Sequence, residues 1–307
     1  MSFDRLQEKI DRLHNPTVVG LDPAIESIPP EILQKHINRK GETLEAVAEA
    51  VLEFNIGLID VLCDIVPAVK PQSAFYEALG PVGIGALKVT IDFAREKGMY
   101  VILDGKRNDI GSTAQAYAAA YLGTVRIGNT EIAPFNADAL TINAYLGSDG
   151  IKPFIEVAKK YDKAMFALVK TSNPSAGELQ DRKIGDIAGN KRLYVLVGGL
   201  LEGISADTTG RYGYTRVGAV VGATYPEELK YLRNYLKNTF FLVPGYGAQG
   251  GSAETVAAAF KENGRGAIIN SSRGIIAAWK KTGDDYKTAA RNEALKMRNE
   301  LIKVHCV

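Results

Sequence analysis

Cysteine and histidine are scarce in this chain: its 307 residues hold two cysteines, Cys63 and Cys306, and three histidines. One thiol in a helical pattern and one beside the C-terminus make no disulfide framework, which points to a reducing, cytoplasmic setting. His14, His36 and His305 are scattered without ligand spacing, so a zinc site built from protein ligands is not expected. No stretch of about 18 apolar residues occurs, and no membrane span is expected. The start, Met1–Ile10, mixes charges with apolar residues at helical spacing and lacks a signal-peptide core. An excess of one charge is missing too. The net charge is +2, with basic residues spread along the chain rather than gathered on one face. Nucleic-acid binding is therefore not expected. Internal repeats and low-complexity tracts are absent.

What is present is ordinary globular material, 46% hydrophobic and 23% charged, able to bury a large core. Short apolar runs alternate with longer stretches of helical period, the pattern of a parallel sheet. Strands are expected at 17–22, 68–70, 100–103, 139–143, 164–169, 217–221, 240–243 and 266–269. Helices are expected at 42–65, 82–97, from about 112, and at 152–161, 193–204, 226–236 and 284–304. Eight strands, each followed by a helix, predict an α/β protein, a single (β/α)8 TIM barrel domain over residues 1–307. An open doubly wound sheet is the alternative. Two stretches exceed a minimal barrel, Pro23–Gly41 and Ser172–Arg216, the latter including Leu193–Ile204. They read as insertions in the loops after strands 1 and 5.

The densest chemical signal is Asp104-Gly-Lys106-Arg-Asn-Asp109, where the apolar strand Tyr100–Leu103 gives way to a helix. Strand residues two apart share a face, which puts Asp104 and Lys106 together, with Asp109 on the following turn. A lysine between two carboxylates stays protonated. It can donate a proton or grip an anion, and it is a poor nucleophile.

In a barrel, polar residues at the C-terminal strand ends converge on one mouth. Here these are Asp22, Lys70, Asp104, Lys106, Asn143, Lys170 with Ser172, Gln249 and Arg273. Gly245-Tyr-Gly-Ala-Gln-Gly250 matches a dinucleotide fingerprint literally, but it falls in the seventh unit, where too little chain follows for a Rossmann fold. A phosphate site after strands 7 and 8 explains it better. Glycines let backbone N–H groups approach, and Arg273 offers a planar fork for phosphate oxygens.

Taken together, Gly20-Leu-Asp22, Val69-Lys70-Pro, Leu103-Asp-Gly-Lys-Arg-Asn-Asp-Ile-Gly-Ser-Thr113, Lys170-Thr-Ser-Asn-Pro174, Pro244–Gly251 and Asn270-Ser-Ser-Arg273 resemble the orotidine 5′-phosphate decarboxylases, in particular their longer bacterial branch. The Asp-x-Lys-x-x-Asp-Ile-Gly-x-Thr segment carries most of the specificity. The resemblance implies a homodimeric barrel that turns orotidine 5′-monophosphate into uridine 5′-monophosphate and CO2, the last step of pyrimidine synthesis, with no metal or organic cofactor. It implies that Lys106 protonates pyrimidine C6, that Asp104 faces the departing carboxylate, and that Asp22 and Lys70 serve ribose hydroxyls and the charge network. Asp109 and Thr113 would complete the neighbouring subunit's site. Ser172 or Ser175 would meet the pyrimidine edge, while Gln249 and Arg273, with or without Tyr246, would grip phosphate.

Three other readings compete. A sister group sharing Asp-x-Lys-x-x-Asp decarboxylates a β-keto sugar phosphate using Mg2+. A Schiff-base aldolase would need Lys70, Lys106 or Lys170 deprotonated, against the flanking carboxylates. A phosphate-ligand binding barrel would have no need of Asp104, Lys106 and Asp109 together.

Overall fold

A computed structural model describes residues 1–185, 190–247 and 250–304. Eight strands form a closed parallel barrel in chain order. They are β1 (Thr17–Leu21), β2 (Ala68–Pro71), β3 (Tyr100–Arg107), β4 (Ala139–Ile142), β5 (Ala164–Lys170), β6 (Val217–Val221), β7 (Phe241–Pro244) and β8 (Ala267–Ser271), with β1 closing on β8. All eight expected strands are found, most within a residue or two of the expected bounds. The exception is β3, which runs on to Arg107 through a bulge. Leu103 pairs with Leu140 and Arg107 with Ile142, so four residues of β3 span two of β4.

Two apolar layers hold the barrel. The outer layer lies between strands and helices and is built from residues such as Val19, Val69, Leu103 and Leu140. The alternate strand residues, among them Val18, Ala68, Ile102, Phe166, Leu242 and Ile268, fill the interior with side chains. The N-terminal helix Ser2–Leu13 stoppers the lower end of that interior. Phe3 packs 4.9 Å from the ring of Phe166 and 5.1 Å from that of Phe240. Leu6 and Ile10 join the same cluster. Burying each of these three side chains contributes about 1.5–3 kcal/mol, and it closes the lower end of the interior, so the interior faces the mouth at the C-terminal strand ends.

Leu44–Leu62, Gly80–Glu96, Gly111–Tyr121, Lys152–Tyr161, Leu193–Ile204, Pro226–Tyr235, Ala253–Ala257 and Tyr286–Val304 follow the strands as outer helices. Leu44–Leu62 is capped by Thr43, whose side chain accepts from Ala46 N. The segment after β1 holds the helix Pro30–Lys40, which packs against Leu44–Leu62. The segment after β5 holds the short helix Ala176–Leu179 and an antiparallel ribbon of Lys183–Ile184 with Lys191–Arg192. Leu193–Ile204, grouped with the loop in the sequence reading, instead buries Tyr194, Val195, Gly198 and Leu201 and packs against β5. It is the barrel's own fifth outer helix. Among the described residues, no helix is long and apolar enough to cross a membrane.

Candidate active site

The ends of β2, β3 and β4 bring a charged row together at the mouth. Lys70 Nζ lies 2.7 Å from Asp104 Oδ2, and Lys106 Nζ lies 2.6 Å from Asp104 Oδ1. Thr141 Oγ1 donates to Asp104 Oδ1 at 2.8 Å, and Gln72 Nε2 donates to Oδ2 at 3.0 Å. Four donors therefore hold one carboxylate. Burial works against its ionisation, but the charges of Lys70 and Lys106 outweigh that and hold Asp104 well below the usual carboxylate range. Burial likewise opposes the Lys70 ammonium, yet Asp104 and then Asp22 raise its pKa above the ordinary lysine value. A buried ammonium and a buried carboxylate thus stabilise each other's charged forms.

Lys106 is the exposed end of this row: 46% of its side chain remains accessible, against 5% for Lys70 and 9% for Asp104. The bulge sets its direction. Lys106 adopts φ +46°, a left-handed conformation unusual for a residue with a Cβ, and its N–H donates to Thr141 Oγ1 at 2.9 Å. Strand alternation correctly put Asp104 and Lys106 on one face, although the intervening backbone is not regular strand. Asp109 does not flank Lys106 within its own chain. Its Oδ1 accepts from Ile110 N instead. The expected lysine between two carboxylates is, within one chain, a carboxylate between two lysines.

A cavity of about 510 Å3 opens beside the row, lined by Lys70, Asp104, Lys106, Thr141 and, from the other wall, Ser172, Asn173 and Gln180. Leu168, Val220 and Leu242 form its apolar floor. Ser172 is in this wall, whereas Ser175 is exposed and stands just before the helix Ala176–Leu179. The loop carrying Ser172 is tied down twice. Gln180 Oε1 accepts from Thr171 N at 2.9 Å. Lys170, fully buried, reaches Asp181 Oδ1 at 2.8 Å and lies over the rings of Tyr225 and Tyr194, at 4.5 and 5.5 Å.

The remaining expected residues divide. Asp22, at the end of β1, keeps its Oδ1 buried with no hydrogen-bond partner among the described residues. Gly20, two residues earlier, is required by close packing, because a Cβ there would stand 1.8 Å from Ser272 Oγ. Arg273 is exposed at the start of the helix Arg273–Ile276 and is engaged by no ion pair among the described residues. Thr113 is exposed on Gly111–Tyr121. Asn143 turns back on its own chain, its Oδ1 accepting from Tyr145 N at 3.0 Å. The Tyr246 hydroxyl donates to Glu300 on the terminal helix, which leaves it outside the cavity wall. Gln249 lies outside the described residues. Sequence reasoning missed Thr141, Gln72, Gln180 and Asp181. Of these, Thr141 carried a signal, since it is a polar residue on an interior strand two positions before the chosen Asn143.

Residues 18–284 match the model of the "Orotidine 5′-phosphate decarboxylase / HUMPS family". The chain is 45% identical over 286 residues to the orotidine 5′-phosphate decarboxylase of Rhodopirellula baltica, covering 93% of this chain and 91% of that one. It is 40% identical over 277 residues to that of Caldicellulosiruptor saccharolyticus, covering 90% of each. Among solved structures, the Leishmania donovani OMP decarboxylase superposes with a TM-score of 0.75 at 31% identity, over 100% of this chain and 99% of that one. With its closed barrel and its row of charges at the mouth, the chain belongs to the orotidine 5′-phosphate decarboxylase family.

Proposed function

We propose that this chain is a carboxy-lyase that converts orotidine 5′-monophosphate to uridine 5′-monophosphate and CO2, with Lys106 as the proton donor. The observation that carries the reading is the Lys70–Asp104–Lys106 row on one wall of a cavity whose floor is apolar. Loss of CO2 from pyrimidine C6 leaves an electron pair in an sp2 orbital that the ring π-system does not delocalise. A cation fixed at that carbon is what the step needs. As the C6–carboxylate bond breaks, its electron pair stays on C6 and takes a proton from Lys106 Nζ. CO2 leaves neutral, and the lysine regains its proton from water. Preorganised charge and acid catalysis act together, because Asp104 and Thr141 already hold the lysine chain in place.

Asp104, held ionised by its two lysines, faces the substrate carboxylate. Their repulsion ends when CO2 becomes neutral. Ser172, in the opposite wall, suits the amide edge of the pyrimidine. The unpartnered Asp22 Oδ1 and the buried Lys70 suit ribose hydroxyls. Arg273, exposed and free of ion pairs among the described residues, and Gln249 suit the phosphate, whose binding energy is spent remote from the reacting carbon.

The reading takes residues 1–307 as one domain and extends to a homodimer. Ile110, Tyr145 and Leu146 are 56%, 78% and 49% exposed, an apolar surface beside Asp109 that a second copy would cover. Asp109 and Thr113 would then enter the partner's site. A cytoplasmic setting fits the same reading, with Cys63 a free thiol.

The test follows the absorbance decrease of orotidine 5′-monophosphate with wild-type protein in the presence of EDTA. Turnover indifferent to the chelator is expected. Loss of turnover restored by Mg2+ would overturn the metal-free mechanism. Absence of turnover would remove the assignment altogether.

A further inference from the structure

The end of the barrel opposite the mouth carries a second polar cavity, of about 440 Å3, which decarboxylation does not use. It lies where β3, β4 and β5 begin. Arg5 and Lys9 reach it from the N-terminal helix, Arg95 from Gly80–Glu96, and Lys163 from the residue before β5, while Asp138 is its one lining carboxylate.

That carboxylate is already committed. Asp138 Oδ1 accepts from Arg95 at 3.0 Å and Arg5 at 3.2 Å, and Oδ2 accepts from Val101 N at 3.0 Å. Asp162, just outside, is taken up by Arg5 at 2.6 Å and Arg216 at 2.8 Å. A structural clamp on the strand starts would need no more than these pairs.

Lys163 and Lys9 are surplus to it. Lys163 is 5% exposed, and among the described residues its Nζ hydrogen-bonds only to Asn136, at 2.7 Å to Oδ1 and 3.4 Å to the carbonyl. Lys9 Nζ donates to the carbonyl of Gly98 at 2.5 Å. Neither forms an ion pair among the described residues. A buried ammonium without a counter-ion is costly, and Lys163 shares its cavity with the half-buried Lys9 and with two guanidinium groups.

We propose that this cavity binds a small phosphomonoester, its phosphate seated between Lys163, Lys9 and Arg95. The dianion would supply the missing counter-charge, and guanidinium with ammonium groups is the donor set that phosphate oxygens favour. Met99 and Leu122 give the cavity an apolar side, and its volume exceeds what a bare phosphate ion fills, so the ligand carries a carbon skeleton.

Protonation offers an independent readout. Burial pushes the Lys163 ammonium down to about 8, and the nearby Arg95 and Arg5 add to this against the opposing pull of Asp138 and Asp162. Burial, then Arg12, lowers Lys9 as well, with Arg5 adding and Asp138 and Glu8 opposing. A bound phosphate favours the charged lysines, so binding near pH 8 takes up protons.

The test is calorimetric titration of the full chain carrying Arg273→Ala, which weakens the phosphate grip at the mouth, with ribose 5-phosphate and with inorganic phosphate at pH 8. The expected result is saturable binding of ribose 5-phosphate, at least as tight as phosphate. The heat should vary with the buffer's ionisation enthalpy. Adding Lys163→Met should reduce the proton uptake and weaken binding about tenfold or more, the scale of one charge-assisted contact. Lys9→Met provides the same comparison if the Lys163 variant proves unstable. The proposal fails if binding is unchanged in these variants, if no ligand binds, or if inorganic phosphate alone binds.

Discussion

Lys106 turns back on Asp104 across a single glycine, with its Nζ 2.6 Å from Oδ1, on a backbone held at φ +46°. Regular strand geometry would point the two side chains the same way without aiming one at the other. The bulge makes the difference by spending four residues of β3 against two of β4 and handing the Lys106 N–H to Thr141. The same Thr141 hydroxyl donates to Asp104. Thr141 therefore fixes both the carboxylate and the Lys106 backbone, and the carboxylate in turn holds the ammonium before any ligand arrives, which is the preorganisation that charge-based catalysis requires.

Replacing Lys106 removes the cation at the mouth and, with it, the proposed proton donor. The Lys106→Ala variant should lose at least about four orders of magnitude in kcat, the product of an acid-catalysis and an electrostatic contribution. Its affinity for uridine 5′-monophosphate should stay within about tenfold of wild type, because the product has no carboxylate to place beside the row. Steady-state kinetics with product titration separate the two. Unimpaired turnover would refute the assigned role.

The pH dependence of stability should carry the mark of Asp104. Its folded pKa is lowered, so its contribution is complete above about pH 4 and is lost as the pH falls toward the folded value. Lys70 acts in the opposite sense. Its contribution is complete below about pH 10 and is lost only as the pH climbs through its raised value. Asp104→Asn should lower stability at pH 7 by about 3–5 kcal/mol, because it leaves Lys70 buried and unpaired. It should also flatten the loss of stability below pH 4. Urea midpoints measured from pH 2 to pH 8 test both; an acid limb identical to wild type would contradict the coupling.

Lys170 poses a separate problem, a fully buried ammonium whose counter-ion comes from a loop eleven residues further on. Asp181→Asn should cost about 1–3 kcal/mol, less than a wholly buried pair because Asp181 is partly exposed. It should also raise KM more than it lowers kcat, since the loop it anchors carries Ser172 into the cavity wall. Combining it with Lys170→Met should restore much of the stability, an interaction that a double-mutant cycle reads directly. Simple additivity of the two changes would show that the pair is not coupled.

The barrel and half of its site were legible because each rests on a local pattern. Alternation of short apolar runs with helical stretches located every strand, and charges ending an apolar run exposed Asp104 and Lys106. The contacts that escaped are those made by the fold. Asp181 reaches Lys170 only after the chain has turned through Ala176–Leu179. The Tyr246 hydroxyl, adjacent to a glycine-rich turn that suggested phosphate, is instead taken by Glu300, 54 residues later. Gln72 and Thr141 resemble ordinary strand-end and strand residues until the bulge in β3 turns a carboxylate toward them. Leu193–Ile204 read correctly as a helix, but its place in the barrel depended on which strand its apolar face met.

Subunit mixing tests whether Asp109 serves the neighbouring site. Within its own chain its side chain meets the Ile110 N–H and not Lys106. In the proposed homodimer, Lys106→Ala and Asp109→Ala proteins should each be nearly inactive on their own. If each site takes Lys106 from one subunit and Asp109 from the other, a heterodimer of the two variants contains one doubly damaged site and one intact site. Equal mixing with free exchange makes half of the dimers hybrid, so the mixture should recover about a quarter of wild-type activity per subunit. Were both residues used by their own chain, every site in the mixture would carry one lesion, and activity would stay at the level of the separate variants. Recovery that rises with the time allowed for subunit exchange identifies the shared site; a flat baseline after complete exchange assigns Asp109 to its own subunit.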